Sequence, residues 1–494
     1  MAHTIDELTQ QKLNKLAALR AAGIEPFPYG YHRSHTAHEA VEISQQNKDA
    51  LLTQEFKVNV AGRVMAKRGM GKTCFMDLRD GSGKIQLFFR INNFPEAKYN
   101  TVKDIDIGDI LGTQGKLFLT RSGEPTVEVS DFTLLAKSLQ PLPEKWHGLV
   151  DVEKRYRQRY LDLISNPDVK RIFEIRSKTI SAIRDFLNKR GFLEVETPVL
   201  QPEAGGATAR PFVTHHNSLD RDFFLRIALE LHLKRLIIGG FDKVYEIGRI
   251  FRNEGISVKH NPEFTMLESY ETYADYQDVM KMVEEMVSSV CQQVHGSMKV
   301  EYNGQTIDFT PPWRRLEMRQ AVIQYAGLDF EQFPDTESLK AEMIARKMHF
   351  DANRERGKLI DEIVSTYVDP QLVQPTFLYD YPIEMSPLAK KKPGSDHIVE
   401  RFEAYCGAME IANAFTELND PIDQRQRFMK QMEQREKGDD EAQKMDEDFV
   451  LAMEHGMPPT GGLGIGIDRL VMLLTNQTSI REVILFPAQR EKTE

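Results

Sequence analysis

"FRNEGISVKHNPEFTMLESY", residues 251–270, is the stretch whose reading decides the fold. It reads as strand, long polar loop, strand. In the second strand the two-residue side-chain period puts Phe264, Met266, Glu268 and Tyr270 on one face. An aromatic ring, a carboxylate and a phenol in a row make a poor hydrophobic face. They make a good floor for a ligand that stacks at one end and is cationic at the other. The plainer alternative is the solvated face of an edge strand.

The flanking text extends this pattern. "KVYEIGRIFRNEG", "EFTMLESYETY", "RFEAY" and "MEIANAFTEL" read as strands in adjacent or hairpin positions, which predicts a mainly antiparallel sheet in an α+β fold. "RIFEIRSKTISAIRDFLNKRG" is a helix: Ile180, Ile183 and Leu187 repeat at helical spacing and Gly191 stops it. "FLEVETPVL" after it reads as a strand ending near Pro198. A second helix over 276–293 carries Val279, Met282, Val283, Met286, Val287 and Val290 on one stripe, which is core packing. "GGLGIGIDRLVMLLT", residues 461–475, runs from a glycine-rich approach into an apolar helix with Arg469 near its start. The antiparallel setting disfavours a dinucleotide-binding βαβ unit.

"ERFEAYCGAMEIANAFTELNDP" brings more acids. With Cys406 and Gly407 as a two-residue turn, Glu403 lies opposite Glu410. Like charges there destabilise the strand pair, with Cβ atoms roughly 4.5–5.5 Å apart, and two such carboxylates invite a hard divalent cation. Asn413, Phe415 and Glu417 alternate onto one face; bringing Glu410 onto that face requires a bulge or bend between them. Surface acids on a hairpin are the alternative.

The N-terminal third is different text. Residues 1–55 read as helical and polar; 56–145 hold five short β-type runs with glycine turns and one helical stretch near 94–103, which fits an OB-type barrel. Residues 146–170, rich in charge and preceded by Pro141 and Pro143, read as a linker into a domain over 171–494. "AKRGMGKTCF", residues 66–75, ends like a phosphate-binding loop in Gly71, Lys72 and Thr73, but Ala66 stands where that motif needs glycine, and strands follow instead of a helix. No apolar run is long enough to span a bilayer and the N-terminus lacks a signal-peptide core, so no membrane partner is expected. Cys74, Cys291 and Cys406 are scattered and odd in number, which suits a reducing cytoplasm better than disulfides or zinc. A net charge of −10 argues against indiscriminate coating of nucleic acid while leaving room for a local basic surface.

Together, "FRNEG…HNPEF", "GIGIDR" and "GFLEVETP" resemble the three signature motifs of class II aminoacyl-tRNA synthetases. The order barrel, linker, catalytic domain resembles the subgroup for aspartate, asparagine and lysine. "RIALELHLKRL", "EFTMLESYETYADY", "YPIEMSPLAK" and "EIANAFTELNDP" are similar to its bacterial-type lysyl branch, over about residues 8–487. Ala412 and Ala414 stand where some members have glycine.

The resemblance implies ATP as substrate, with Phe264 stacking on adenine, Arg469 on its other side, and Arg252 holding the α-phosphate and the amino-acid carboxylate. It implies that Glu254, His260 and Asn261 belong to the loop around the nucleotide, and that Glu403 and Glu410 carry Mg²⁺, about three ions per site. It implies a lysine site in which Glu230 and the backbone near Gly206 meet the α-amino group, and Glu268, Tyr270 and Glu417 meet the ε-ammonium, with Asn413 and Phe415 beside them. Arg252, Glu410 and Arg469 are then the catalytic set. In the barrel, Phe75 matches an aromatic that stacks on an anticodon base of tRNA(Lys), with Arg68, Gln86 and Glu128 beside it; "KRGMGK" then resembles a basic loop beside the anticodon, with an exposed solubilising turn as the plainer reading. The helix from Arg171 to Arg190 matches the element of a homodimer, and a helical insertion is expected near 330–370. Competing readings are an aspartate or asparagine synthetase on the same scaffold, or an RNA-binding barrel with a degenerate partner domain. Enzymes that lysylate a protein resemble only the catalytic part.

Overall fold

Alternation of apolar and polar residues closes the N-terminal runs into a five-stranded barrel. The computed structural model describes residues 6–143, 149–438 and 442–490, and the chain divides into two units, Met1–Val150 and Asp151–Glu494. In the first, helix α1 (Glu7–Ala21) starts at Asp6, whose carboxylate accepts the Thr9 N–H. Helix α2 (Ala37–Gln46) starts at a reciprocal cap between Thr36 and Glu39. Strands β1 (Lys57–Met70), β2 (Thr73–Arg79), β3 (Lys84–Arg90), β4 (Ile110–Leu119) and β5 (Pro125–Ala136) close in the order β1-β2-β3-β5-β4, with α3 (Glu96–Asp104) between β3 and β4. Val60, Met76, Leu87, Leu111 and Val127 fill the interior. The bend at Gly115 requires glycine, because a Cβ there would lie 2.2 Å from the Glu128 carbonyl oxygen. "KRGMGK" is the β1–β2 hairpin, with Gly71 at φ +56°, and no helix follows it.

The second unit begins with helices α4 (Val152–Arg157) and α5 (Arg159–Ser165), not with the linker expected over 146–170. The start of that linker, with the expected barrel limit at 145, lies outside the described residues. Arg159 is fully buried, bonded to Asp162 at 2.6 Å and to the carbonyls of Arg481 and Leu485. Of the charges that suggested a linker, Arg155, Arg159 and Asp162 form an ion-pair network with Glu482. Helix α6 (Pro167–Lys189) follows and stops before Gly191 at φ +81°.

The large sheet is built from β6 (Leu193–Glu194), β10 (Lys243–Phe251), β11 (Glu263–Thr272), β14 (Arg314–Glu317), β15 (Thr376–Pro382), β16 (Ile398–Cys406), β17 (Met409–Thr416) and β18 (Thr460–Gly466). Its order is β14-β15-β16-β17-β18-β11-β10-β6, antiparallel except for the outermost pair at each edge. The strand expected from "FLEVETPVL" shrinks to the two residues of β6, because only Leu193 and Glu194 pair with β10 before the chain turns away. Two small sheets stand beside it, β7 (Leu200–Gln201) with β8 (Val213–His216) and β9 (Arg221–Leu225), and β12 (Lys299–Tyr302) with β13 (Gln305–Asp308). Helix α7 (Glu230–Ile238) packs on β10 and β11.

Helix α8 (Tyr276–His295) buries its expected stripe against the back of the sheet, together with α6 and α14 (Ile467–Leu474). That side takes Leu267, Phe402, Ala412, Ala414 and Ile465, which leaves the alternate residues of the same strands for the opposite face. Helix α9 (Met318–Ala326) precedes the stretch expected as an insertion, where α10 (Thr336–Ala345) and α11 (Arg356–Ile363) stand with a π-turn over Val364–Val368. Helices α12 (Pro421–Glu436) and α13 (Glu447–Glu454), between β17 and β18, are additions to the expected order; α15 (Ile480–Val483) ends it.

Candidate active site

The face of β11 read from the sequence is the floor of a cavity of about 410 Å³. Phe264, Met266, Glu268 and Tyr270 all line it, and β11 is an interior strand between β18 and β10, which removes the edge-strand alternative. Arg252, Glu254, His260, Asn261, Glu403, Glu410, Asn413, Phe415, Glu417, Gly206, Glu230 and Arg469 line the same cavity. It runs from an acidic end to an end rich in arginine.

At the acidic end, Glu230, Glu268 and Glu417 are all buried. Glu268 accepts from the Leu229 N–H at 2.9 Å, at the start of α7, and from the Tyr270 hydroxyl at 3.0 Å. Burial, reinforced by Glu230, pushes the Glu268 carboxyl up to about 7. Burial also raises Glu230 and Glu417, with Lys234 acting in the opposite direction on both. Lys234 was missed at the sequence level. Its ammonium is fully buried and lies 2.5 Å from Glu230 Oε1 and 2.5 Å from Glu417 Oε2. Lys234 engages Glu417 through Oε2, and Glu417 Oε1, buried, has no hydrogen-bond partner among the described residues.

Two glycines make room for this end. A Cβ on Gly462 would lie 1.8 Å from Glu417 Oε1 and 2.7 Å from the Tyr270 ring. Gly206, at φ +86°, brings its backbone against Ala228 and Glu230, where a Cβ would meet both at 3.1 Å.

The hairpin of β16 and β17 corrects one expectation. The turn residues are Gly407 and Ala408, both at φ +59°, one position later than Cys406 and Gly407. Gly407 and Ala408 donate their N–H groups to Val373 and Leu372, and Lys259 Nζ donates to the Ala408 carbonyl at 2.9 Å; these bonds hold a conformation that alanine disfavours. Glu410 therefore pairs with Tyr405, and Glu403 with Asn413. The required bulge is present: Ile411 is the extra residue, and it returns Glu410 to the face of Asn413, Phe415 and Glu417.

Glu403 Oε2 accepts from Tyr381 and Tyr405, and Oε1 from Arg401. Arg401 also went unnoticed in the sequence, although the period of two from Glu403 points to it. It bonds Asn413 Oδ1 at 3.1 Å, Ser386 Oγ at 2.9 Å and the Met385 carbonyl, and so fixes Glu403 and Asn413 together. Burial and then Glu403 raise the Glu410 carboxyl. Two hard carboxylates on one face fit a divalent cation that takes its remaining ligands from a phosphate. Among the described residues no third acid, histidine or cysteine completes a protein-only metal site.

At the arginine end, Arg469 Nη1 donates to the Glu410 carboxylate at 3.0 Å and to its carbonyl at 2.8 Å, while Nη2 reaches His260 Nε2 at 3.3 Å. Burial and Arg469 lower the His260 pKa, so the ring is a neutral acceptor. Asn261 spans the Glu263 carbonyl and the Ala488 N–H, tying the loop over 252–262 to the C-terminal segment. The Arg252 guanidinium lies 5.3 Å from the Phe264 ring centroid, and among the described residues its only hydrogen bond runs from Nε to the Ile227 carbonyl. Behind the floor, Asp468 accepts from Arg176 of α6 and from the Thr265 N–H, both at 2.6 Å, which locks α6, β11 and α14 together.

In the barrel, four of the expected or adjoining residues fall in one cross-strand row: Arg68, Phe75, Phe88 and Glu128 pair successively from β1 to β5. Phe75 and Phe88 have ring centroids 4.7 Å apart. Phe88 was not anticipated; it stands directly opposite Phe75. Gln86 lies one row over, buried, its carbonyl accepting from Thr126. Glu128 faces Lys116 and Asn93.

Comparison with known proteins adds to this geometry. Residues 151–490 match the family described as tRNA synthetases class II (D, K and N), and residues 58–135 match the OB-fold nucleic acid binding domain. A lysine–tRNA ligase of Dehalococcoides mccartyi (strain ATCC BAA-2266 / KCTC 15142 / 195) is 59% identical, covering 99% of this chain and 98% of the relative. Lysine–tRNA ligases of Moorella thermoacetica (strain ATCC 39073 / JCM 9320) and Thermoanaerobacter sp. (strain X514) are 54% and 52% identical, with 99% of this chain covered in each case and 99% and 97% of the relatives.

Proposed function

The chain belongs to the lysine–tRNA ligases of class II, and from that premise we propose how its cleft divides the work. The observation that carries the reading is the convergence of Glu230, Glu268 and Glu417, with Tyr270, at one buried end of the cavity. Such an end suits a substrate with two ammonium groups. Glu230 and the backbone near Gly206 take the α-ammonium; Glu268, Tyr270 and the under-bonded Glu417 take the ε-ammonium; Asn413 and Phe415 line the stem. Arg252, whose terminal nitrogens are free of protein acceptors among the described residues, takes the lysine carboxylate and the α-phosphate. Adenine stacks on Phe264 against the Arg469 guanidinium, with Glu254 and His260 closing the loop and Asn261 holding that loop in place.

The chemistry is two displacements. A lysine carboxylate oxygen attacks the α-phosphorus of ATP, the bond to the bridging oxygen breaks, and pyrophosphate leaves. A terminal ribose hydroxyl of tRNA then attacks the lysyl carbonyl and AMP leaves. No side chain becomes a nucleophile; fixing the reactants and matching their charge supply the rate. Glu403 and Glu410 would hold Mg²⁺ against the phosphates, and up to three ions fit only with phosphate oxygens as most of the ligands. When bound, the metal neutralises charge on the pyrophosphate leaving group.

In the barrel, Phe75, backed by the buried Phe88, forms the stacking surface for an anticodon base of tRNA(Lys), flanked by Arg68, Gln86 and Glu128. A homodimer through residues 171–190 of α6 and a cytoplasmic setting complete the reading. The three free, buried cysteines suit that setting, and no described helix is long and apolar enough to cross a membrane. An aspartate or asparagine specificity is disfavoured because Lys234, the cation that the described residues place at the acidic end, faces two carboxylates and does not line the cavity. ATP–pyrophosphate exchange with each of the twenty amino acids is the test: lysine should dominate, and a dominant aspartate or asparagine signal overturns the reading.

A further inference from the structure

From the position of Lys234 we infer that it is an internal counter-ion, a positioning residue that sets the charge and aim of the lysine pocket. It stands one helical turn after Glu230 on α7, has no exposed side-chain surface, and bridges Glu230 to Glu417 across the join between α7 and the end of β17. The inference deepens the lysine reading above and rests on it.

Charge balance carries the argument. When ionised, Glu230, Glu268 and Glu417 bring three negative charges to a buried space, and Lys234 brings one positive charge from behind them. The remaining two negative charges equal the two ammonium groups of lysine. Without Lys234 the pocket holds one carboxylate too many, and a buried, unpaired carboxylate binds a proton instead. The protonated group donates where it should accept, so the same loss that unbalances the charge also turns a recognition acceptor the wrong way.

The surroundings leave this task to Lys234. Its own helix contributes Glu230; β11 contributes Glu268 and Tyr270; the end of β17 contributes Glu417; Arg401 of β16 acts on Glu230 from a distance. On the α13 side Lys234 meets the Phe449 ring, 5.9 Å from the ammonium to the centroid. The acids nearest that side, Asp446 and Asp448, are taken by Arg235, and Glu246 of β10 is taken by Arg226. Against burial, Glu230 and Glu417 together hold the Lys234 ammonium charged.

The test uses the full-length protein and Lys234→Met, which keeps the bulk and removes the charge. In lysine-dependent ATP–pyrophosphate exchange, the lysine KM should rise at least tenfold while the ATP KM stays within twofold. The acid limb of lysine kcat/KM should move up by a pH unit or more. An unchanged lysine KM with an unmoved limb overturns the inference, provided the unsubstituted protein exchanges with lysine; if it does not, the lysine reading itself fails. A second readout needs no lysine. If Lys234→Met melts at lower temperature because it strands a carboxylate, adding Glu417→Gln should restore most of the loss. A double variant that melts no higher than Lys234→Met shows that the residue only fills space, and the inference falls.

Discussion

Glu268 is the residue at which pH and substrate choice meet. Burial, with Glu230 near it, lifts its carboxyl from the ordinary range to about 7. Its folded value is above its unfolded one, so protonation favours the folded state at acid pH, and that contribution is lost as pH rises through 7. In the proposed arrangement lysine binds the ionised form. Lysine kcat/KM in pyrophosphate exchange should therefore climb between pH 6 and 8, and the thermal shift that lysine produces should grow over the same window; a flat response would remove Glu268 from recognition. If the same acids hold lysine, they exclude uncharged analogues. An unpaired buried charge costs roughly 3–5 kcal/mol, and about 1.4 kcal/mol is tenfold, so norleucine should be activated at least a hundredfold less efficiently than lysine. Comparable exchange rates for the two would contradict the acidic pocket.

Elements deliver these residues, and their backbone details matter as much as the side chains. Strand β18 lies beside β11 and β17, and its Gly462 leaves the space that Glu417 and Tyr270 occupy. Gly462→Ala should raise the lysine KM at least tenfold and leave the ATP KM within twofold, because the methyl displaces Glu417 and not the arginine end. A uniform loss of both would mean the sheet itself is disturbed. In the barrel, base–aromatic stacking is worth roughly 1–3 kcal/mol per base. Phe75→Ala should raise the KM for tRNA by about fivefold to a hundredfold and leave lysine-dependent exchange nearly intact; equal losses in both assays would indicate misfolding.

How much of this the sequence discloses follows from periodicity. The β11 face was legible because strict alternation over Phe264 to Tyr270 ignores everything but the backbone. The need for a bulge before Asn413 was legible for the same reason, but its place was not: it depends on the turn settling at Gly407 and Ala408, which distant carbonyls and Lys259 hold. Arg401 was within reach of the period-two argument. Lys234 was not, because Glu and Lys four apart read as an ordinary exposed helix pair, and only the approach of β17 buries them. The supposed linker failed for a like reason: Arg155 and Arg159 look solvated until Asp162 and Glu482 are seen beside them.

Across the whole molecule the charge is unevenly shared. The unit ending at Val150 holds 19 Lys and Arg against 17 Asp and Glu, a net of +2, whereas the remainder holds 45 against 57, a net of −12. A polyanion the size of tRNA therefore meets its favourable charge on the barrel, where Arg68, Lys72 and Arg90 are exposed around the Phe75–Phe88 pair. If these three cations each neutralise one phosphate, the slope of log affinity against log salt is about −2, at roughly −0.7 per contact for single-stranded nucleic acid. Raising salt from 50 to 200 mM should then weaken tRNA binding by roughly tenfold to twentyfold. Lysine-dependent exchange draws on the enclosed acids, which salt screens far less, and should change by less than threefold. Replacing Arg68, Lys72 and Arg90 by glutamine should flatten the tRNA salt dependence without touching exchange. A slope unaltered by those substitutions would mean that the phosphates lie against some other surface of the chain.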